Sequence, residues 1–189
     1  MSNKEDGMAK HIAVGVTGSI AAYKACELVR LFSKEGYGVS VVMTAAAARF
    51  VSPLTFRTLS RNPVCTGLFD DVGEWIPDHI SIADRCDALV IAPCTANVLA
   101  KLAHGLADDA LTATALACVK PLILAPAMNV NMWEHPATQA NLAVLKSRGA
   151  VVVEPGEGGL ACGTTGRGRM PEPLEIFNAT CAVLASARN

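Results

Sequence analysis

Apolar residues recur along the chain in short runs, each followed by a few small polar residues and then by a longer amphipathic stretch. The runs at His11–Thr17, Val39–Met43, Asp87–Pro93, Pro121–Ala125 and Ala150–Val153 are apolar almost throughout rather than alternating, which predicts parallel strands covered on both faces. Helical patterns lie between them: from the Gly18–Lys24 turn to Glu35, Ala45–Phe50, Ser52–Ser60 with Pro53 in the first turn, His79–Cys86, Cys94–Leu102, Ala110–Val119, Pro136–Gly149 and Glu172–Ala187. Gly36 and Gly105 stop helices, and Asp108 and Asp109 supply caps for the next one. This alternation predicts a single α/β domain, a doubly wound parallel sheet of the flavodoxin or Rossmann three-layer type with helices on both faces. Only Glu154–Met170 breaks the pattern. It holds six glycines and no core-forming period, so it predicts a mobile loop, and loops of that length in compact domains usually act as lids.

The length of 189 residues fits one domain over residues 10–189, with the polar residues 1–9 expected as a disordered extension and Met8 as a conceivable original start. The polar stretch Met1–Lys10 has no apolar leader pattern and no apolar run reaches spanning length, so a soluble protein is expected. With a net charge of −1 and no Lys/Arg cluster, electrostatics gives no support to a nucleic-acid or anionic-membrane partner. Seven cysteines, an odd number without CxxC spacing, point to a reducing cytoplasm and away from zinc. Cys26, Cys86, Cys118 and Cys181 read as small buried hydrophobes.

Candidate chemistry gathers at the carboxyl ends of the strands, where open α/β sheets bind ligands. After the first strand, Gly18 lets the backbone approach an anion and Ser19 can cap the following helix, so Gly18-Ser19-Ile20 suits the phosphate of a mononucleotide; neither a GxGxxG nor a P-loop sequence is present. Thr44 ends the second strand, with Phe50 nearby as a core or ring-stacking residue. Cys94-Thr95-Ala96-Asn97 follows a buried strand and can present hydroxyl, amide and backbone N–H groups to a heterocycle or its sugar. His79 opens a helix, a placement that suits a cap, a general base or a hydrogen-bond partner. Pro126-Ala127-Met128-Asn129-Val130-Asn131-Met132-Trp133 follows another buried strand. By itself this octapeptide reads most simply as a strand-to-helix turn with Met and Trp packing beneath it. Cys162 stands in the glycine-rich loop, where a thiol closing over a site can donate a proton.

Together, Gly18-Ser19-Ile20-Ala21, His79, Ala92–Asn97, Pro126–Asn129 with Met132-Trp133, and Leu160–Gly163 with Gly168-Arg169-Met170 resemble the homo-oligomeric flavin-containing cysteine decarboxylases. The likeness runs in order from Lys10 onward. It implies FMN across the strand ends, its phosphate near Gly18, Ser19, Ile20 and Thr44, with Phe50, Thr95, Ala96, Asn97 and Ala127 around the remainder. It implies Asn129, Met132 and Ala161 around a small-molecule substrate ending in cysteine, and His79, Asn129 and Cys162 as the catalytic set. Members build this site between subunits of a trimer, or of trimers assembled into a dodecamer. In their chemistry the thiol-bearing carbon is first oxidised to C=S, which then accepts the electrons left by departing CO2. Asn129 would hold the carboxylate, His79 would act as base or positioning group, and Cys162 would protonate the enethiol carbon.

Neighbouring activities share the fold. Peptidyl-cysteine oxidative decarboxylases have the His and Pro-x-Met-Asn-x-x-Met-Trp features but lack the returning cysteine. Flavin prenyltransferases lack the Asn129 and Met132-Trp133 constellation. A flavin-binding regulatory subunit would have lost one catalytic residue. Many bacterial members continue into a synthetase domain, so this chain corresponds either to a monofunctional form or to their amino-terminal part, with Val130 and Asn131 at positions that could tune the substrate.

Overall fold

The computed structural model describes residues 10–69, 77–159, 163 and 165–186; the extension expected over residues 1–9 lies outside them. Strands β1 (His11–Val16), β2 (Gly38–Met43), β3 (Val64–Cys65), β4 (Ala88–Cys94), β5 (Leu122–Pro126) and β6 (Val151–Val152) form one parallel sheet in the order β3-β2-β1-β4-β5-β6. Successive side chains along a strand point to opposite faces. Ile12, Val14, Val16, Val90 and Ile123 therefore pack on one side, against α1 (Ala22–Lys34), α2 (Pro53–Ser60) and α8 (Pro173–Ser186). Ala13, Leu89, Ile91 and Leu124 pack on the other, against α3 (Asp78–Arg85), α4 (Ala96–His104), α5 (Ala110–Ala117) and α7 (Pro136–Ser147). This is the doubly wound three-layer fold that the periodicity predicts.

Local chemistry sets the element ends much as expected. Gly105 closes α4 in the left-handed conformation, and Asp109 opens α5 with a reciprocal capping box to Thr112. Four departures have physical causes. β3 has only two residues and so shows no period. Ala45–Phe50 yields one 3-10 turn, Ala47–Arg49, rather than a helix. α1 begins at Ala22, later than a direct strand-to-helix turn would place it. Finally, Glu154–Met170 contains an antiparallel hairpin, β7 (Gly156–Gly159) with β8 (Thr165–Arg169), where its glycines gave no strand pattern. The prolines also sit within strand ends: β4 runs through Pro93, whose bond to Ala92 is cis, and β5 includes Pro126.

At the opposite edge of the sheet, His11 starts β1. Its N–H donates to Asp87 Oδ2 at 2.7 Å, and its Nε2 lies 2.8 Å from Ser40 Oγ. Ser40 already accepts from Arg85 Nη2 at 2.6 Å, so its own hydroxyl proton is free to point at the imidazole. Burial, and secondarily the Arg85 charge, hold His11 below the usual histidine range despite Asp87. The unfolded chain then binds more protons than the fold between the lowered value and about 6.5, so stability is full above that window and falls as pH drops through it. We expect the thermal midpoint to fall between about pH 7.5 and about pH 5.5. The drop should shrink in His11→Asn, and an equal drop in that variant would assign it to other groups.

Candidate functional site

β1 and β4 are neighbours, yet the chain leaves β1 toward α1 on one face and β4 toward α4 on the other. A crevice opens where such connections diverge. The buried Thr17 spans it: its Oγ1 donates to Pro93 O at 2.7 Å and accepts from Thr95 N at 3.1 Å. On one side Thr44 N donates to Val16 O at 3.1 Å, and on the other Ala127 N donates to Cys94 O at 3.1 Å. The turns after β1, β2, β4 and β5 are thus tied in a row.

Two hollows flank this row. One, of about 460 Å³, is lined by Gly18, Thr44, Ala45, Ala46, Thr95, Ala96, Asn97, Lys101 and Met132. Its walls are small side chains and backbone. A Cβ on Gly18 would stand 2.5 Å from Ala46 Cβ, so a larger residue would push the first two turns apart. Thr95 caps α4, its Oγ1 accepting from Val98 N at 3.4 Å, and the N–H groups of Ala96 and Asn97 belong to the first turn, where the helix carries partial positive charge. One turn on, Lys101 bridges Asp108 at 2.6 Å and Asp109 at 3.1 Å; the bond to Asp108 holds the ammonium above its ordinary range and that carboxyl below its own. Backbone donors, hydroxyls and an amide at a helix start suit a mononucleotide phosphate with its ring system.

The second hollow, of about 320 Å³, is lined by Ser19, Ile20, Tyr23, Lys24, Ala127, Met128, Asn129, Gly168, Arg169 and Met170. Asn129 is the N-cap of α6 (Val130–Glu134), and its Oδ1 accepts from Asn131 N at 2.8 Å. A helix of five residues cannot hold itself together. Trp133 anchors it: the side chain is 6% exposed in the core, its carbonyl accepts from Gln139 Nε2 at 2.6 Å, and the Arg167 guanidinium lies 6.0 Å from its ring centroid. β8 lies across the same segment, with Met128 N donating to Gly168 O at 3.0 Å. At Gly168 φ is +146° and a Cβ would run into Met128 O, so only glycine permits the approach. Along one wall Glu172 bridges the nearly buried Lys24 and Arg169, both at 2.9 Å, and the Lys24 bond holds its carboxyl below the usual range.

The structure therefore divides the candidates. Gly18, Thr44, Thr95, Ala96, Asn97 and Met132 share the first hollow; Ser19, Ile20, Ala127 and Asn129 share the second. Ser19 does not cap α1. That N-cap is Ala21, without a side-chain bond, and Ser19 Oγ accepts from Ala21 N at 3.3 Å inside its own turn. Phe50, 51% exposed, and His79, in the first turn of α3, line neither hollow. Ala161 and Cys162 lie outside the described residues. Sequence reasoning missed Thr17, which looked like the last residue of a strand, and the Lys24–Glu172–Arg169 bridge, whose members are far apart in the chain. Cys94 is fully buried with its thiol pushed up by desolvation, so it offers no nucleophile.

The sequence profile of the family described as Flavoprotein matches residues 1–185. Over 178 residues the chain is 52% identical to the coenzyme A biosynthesis bifunctional protein CoaBC of Mycolicibacterium smegmatis, a match covering 94% of this chain and 42% of that protein. It is 44% identical over 167 residues to the probable phosphopantothenoylcysteine decarboxylase of Streptococcus mutans, covering 87% of this chain and 93% of the relative. A solved PPC decarboxylase mutant complexed with pantothenoylaminoethenethiol superposes with a TM-score of 0.82 at 32% identity, over 92% of this chain and 97% of that one. The chain spans about two fifths of the length of the bifunctional relatives it matches.

Replacing Thr17 by Val keeps the shape but strands a carbonyl and an N–H beneath the crevice. Urea unfolding should show a loss of roughly 1–3 kcal/mol. Thr17→Ser should recover most of it, whereas an equally unstable Thr17→Ser would locate the effect in the lost methyl group.

Proposed function

The chain belongs to the Flavoprotein family, and on that footing we propose that it is an FMN-dependent carboxy-lyase converting 4′-phosphopantothenoylcysteine to 4′-phosphopantetheine in coenzyme A biosynthesis. The observation that carries this reading is the seating of Asn129 in a hollow beside the phosphate-type turn, beneath a strand that only Gly168 allows so close. The Streptococcus mutans relative, matched over nearly its whole length, supports the substrate class.

FMN is the flavin of choice because the chain offers a turn for one phosphate and no dinucleotide fingerprint; Gly18, Thr44, Thr95, Ala96 and Asn97 would hold it. When bound, it supplies the two-electron oxidation of the substrate's thiol-bearing carbon. The chain's own residues do the rest. Asn129, its oxygen engaged at the start of α6, directs its amide nitrogen at the substrate carboxylate and fixes the bond to be broken. β7 and β8 cover the reacting end and keep water from it. Cys162 delivers the proton to the enethiol carbon. His79 assists as base or positioning group, and its place away from both hollows supports a site completed by another copy of the chain, as a homotrimer or a dodecamer of trimers. Among the described residues no helix is long and apolar enough to cross a membrane, in keeping with a cytoplasmic enzyme.

Mass spectrometry of the purified yellow protein with 4′-phosphopantothenoylcysteine tests the reading. Loss of CO2 alone supports it, loss of CO2 with two hydrogens points to an enethiol-forming enzyme of the peptidyl-cysteine type, and no turnover leaves a prenyltransferase or a regulatory subunit. In Asn129→Asp, which retains an oxygen to cap α6, we expect turnover to fall by roughly 10²-fold with flavin still bound. Loss of the flavin in that variant would move Asn129 to a structural role. Cys162→Ser should still release CO2 but accumulate the enethiol, and a normal yield of aminothiol would remove Cys162 from the chemistry.

A further inference from the structure

Cys86 and Cys118 terminate neighbouring helices. Cys86 follows the last turn of α3, Cys118 the last turn of α5, and both have extended backbones leading into the starts of β4 and β5. Their Sγ atoms are 3.6 Å apart. Elsewhere, Cys94 is sealed in the core and Cys181 meets the Tyr37 hydroxyl. The pair lies at the amino-terminal ends of the strands, the edge of the sheet opposite the crevice. There a cavity of about 470 Å³ opens between the carboxyl ends of α4, α5 and α7, with Leu102, Leu106, Leu122, Arg148 and the half-buried Cys118 among its walls. Cys86 is 1% exposed and lies behind Cys118.

We propose that Cys86 and Cys118 are a redox-active dithiol that hydroperoxides convert to a disulfide joining the ends of α3 and α5. The geometry assigns the two sulfurs different parts. Cys118 is the one a small oxidant can reach. The two sulfurs share a hydrogen bond that either can donate; with Cys86 as donor, that bond and the N–H and charge of Lys120 favour the Cys118 thiolate in spite of desolvation and the Asp84 charge, while Cys86, buried behind it, keeps its proton. The Cys118 thiolate attacks the peroxide O–O bond, forming sulfenic acid and expelling hydroxide or alkoxide. The Cys86 sulfur, giving up its proton, then attacks Cys118 Sγ; the S–S bond forms, the S–O bond breaks, and water leaves. Two thiols lose two electrons and the peroxide gains them. The sulfurs must approach by about 1.5 Å to reach a bonded distance, a movement that the side chains of two helix-terminating residues can make without unwinding either helix. Because α5 is capped at its other end by Asp109, which pairs with Lys101 beside the first hollow, the bond would restrain a helix that reaches from this cavity to the crevice.

The test uses the flavin-loaded protein. It is exposed to a small excess of hydrogen peroxide, its remaining thiols are alkylated, and it is digested with trypsin without reduction. The expected product is one linked pair of peptides, residues 86–101 with residues 102–146, assigned by fragmentation to Cys86 rather than Cys94 and released by dithiothreitol. In Cys86→Ser the link should vanish and Cys118 should be trapped as a dimedone adduct. Cys86 and Cys118 both recovered as alkylated thiols from oxidised wild-type protein, or a link through Cys94, would overturn the proposal without recourse to any variant.

Discussion

Thr17 stands just past the carboxyl end of the ladder between β1 and β4, whose last paired residues are Gly15 and Ile91. β1 and β4 lie side by side, but the chain enters and leaves them from opposite faces, so their carboxyl ends would splay without a tie. A threonine hydroxyl can donate and accept at once, and here it does both, to a carbonyl of β4 and from the N–H that opens the next turn. Valine would fill the same space and do neither. The positions of Gly18, Thr95 and Asn97 all follow from this bridge, because each lies within a residue or two of an atom that it holds.

From that bridge the site separates by chemistry. The hollow floored by Gly18, Thr44 and the start of α4 is small-walled and rich in backbone donors, suited to a group that must lie flat and anchor one anion. The hollow around Asn129 is deeper in functional side chains, with Lys24, Arg169 and Glu172 interlocked along one wall. Consecutive residues, Gly18 and Ser19, belong to different hollows, so one turn of chain sets the spacing between the two.

The sheet, its helices and the turns at its strand ends were legible because buried parallel strands and strand-end polar residues leave strong local signals. The His11–Thr17 and Pro121–Ala125 runs are apolar on both faces, and Asp109 and Gly105 are unambiguous caps. What escaped depends on contacts distant in sequence. The hairpin over Asn129 is held by its approach to Met128, which only a bare glycine permits, so its glycines look like disorder when read alone. Cys86 is the small buried hydrophobe expected of it, whereas Cys26, Cys118 and Cys181 are only half-buried, and no spacing rule could say that α3 and α5 end beside each other. Ser19 shows the reverse: its sequence context suggested a helix cap, yet the turn after β1 uses it locally and leaves α1 to start without one.

Both rims of the sheet are very short. β3 at one end and β6 at the other each contribute two residues to the ladder. An open sheet normally carries the risk of growing sideways, because an edge strand presents unpaired amides to any chain that can align with it. Here the template is too brief to recruit a neighbour, and the hairpin of β7 and β8 forms a separate ladder rather than lengthening either rim. The sheet is thereby closed to lateral extension at its rims, which leaves helices and loops as the surfaces by which one copy could meet another.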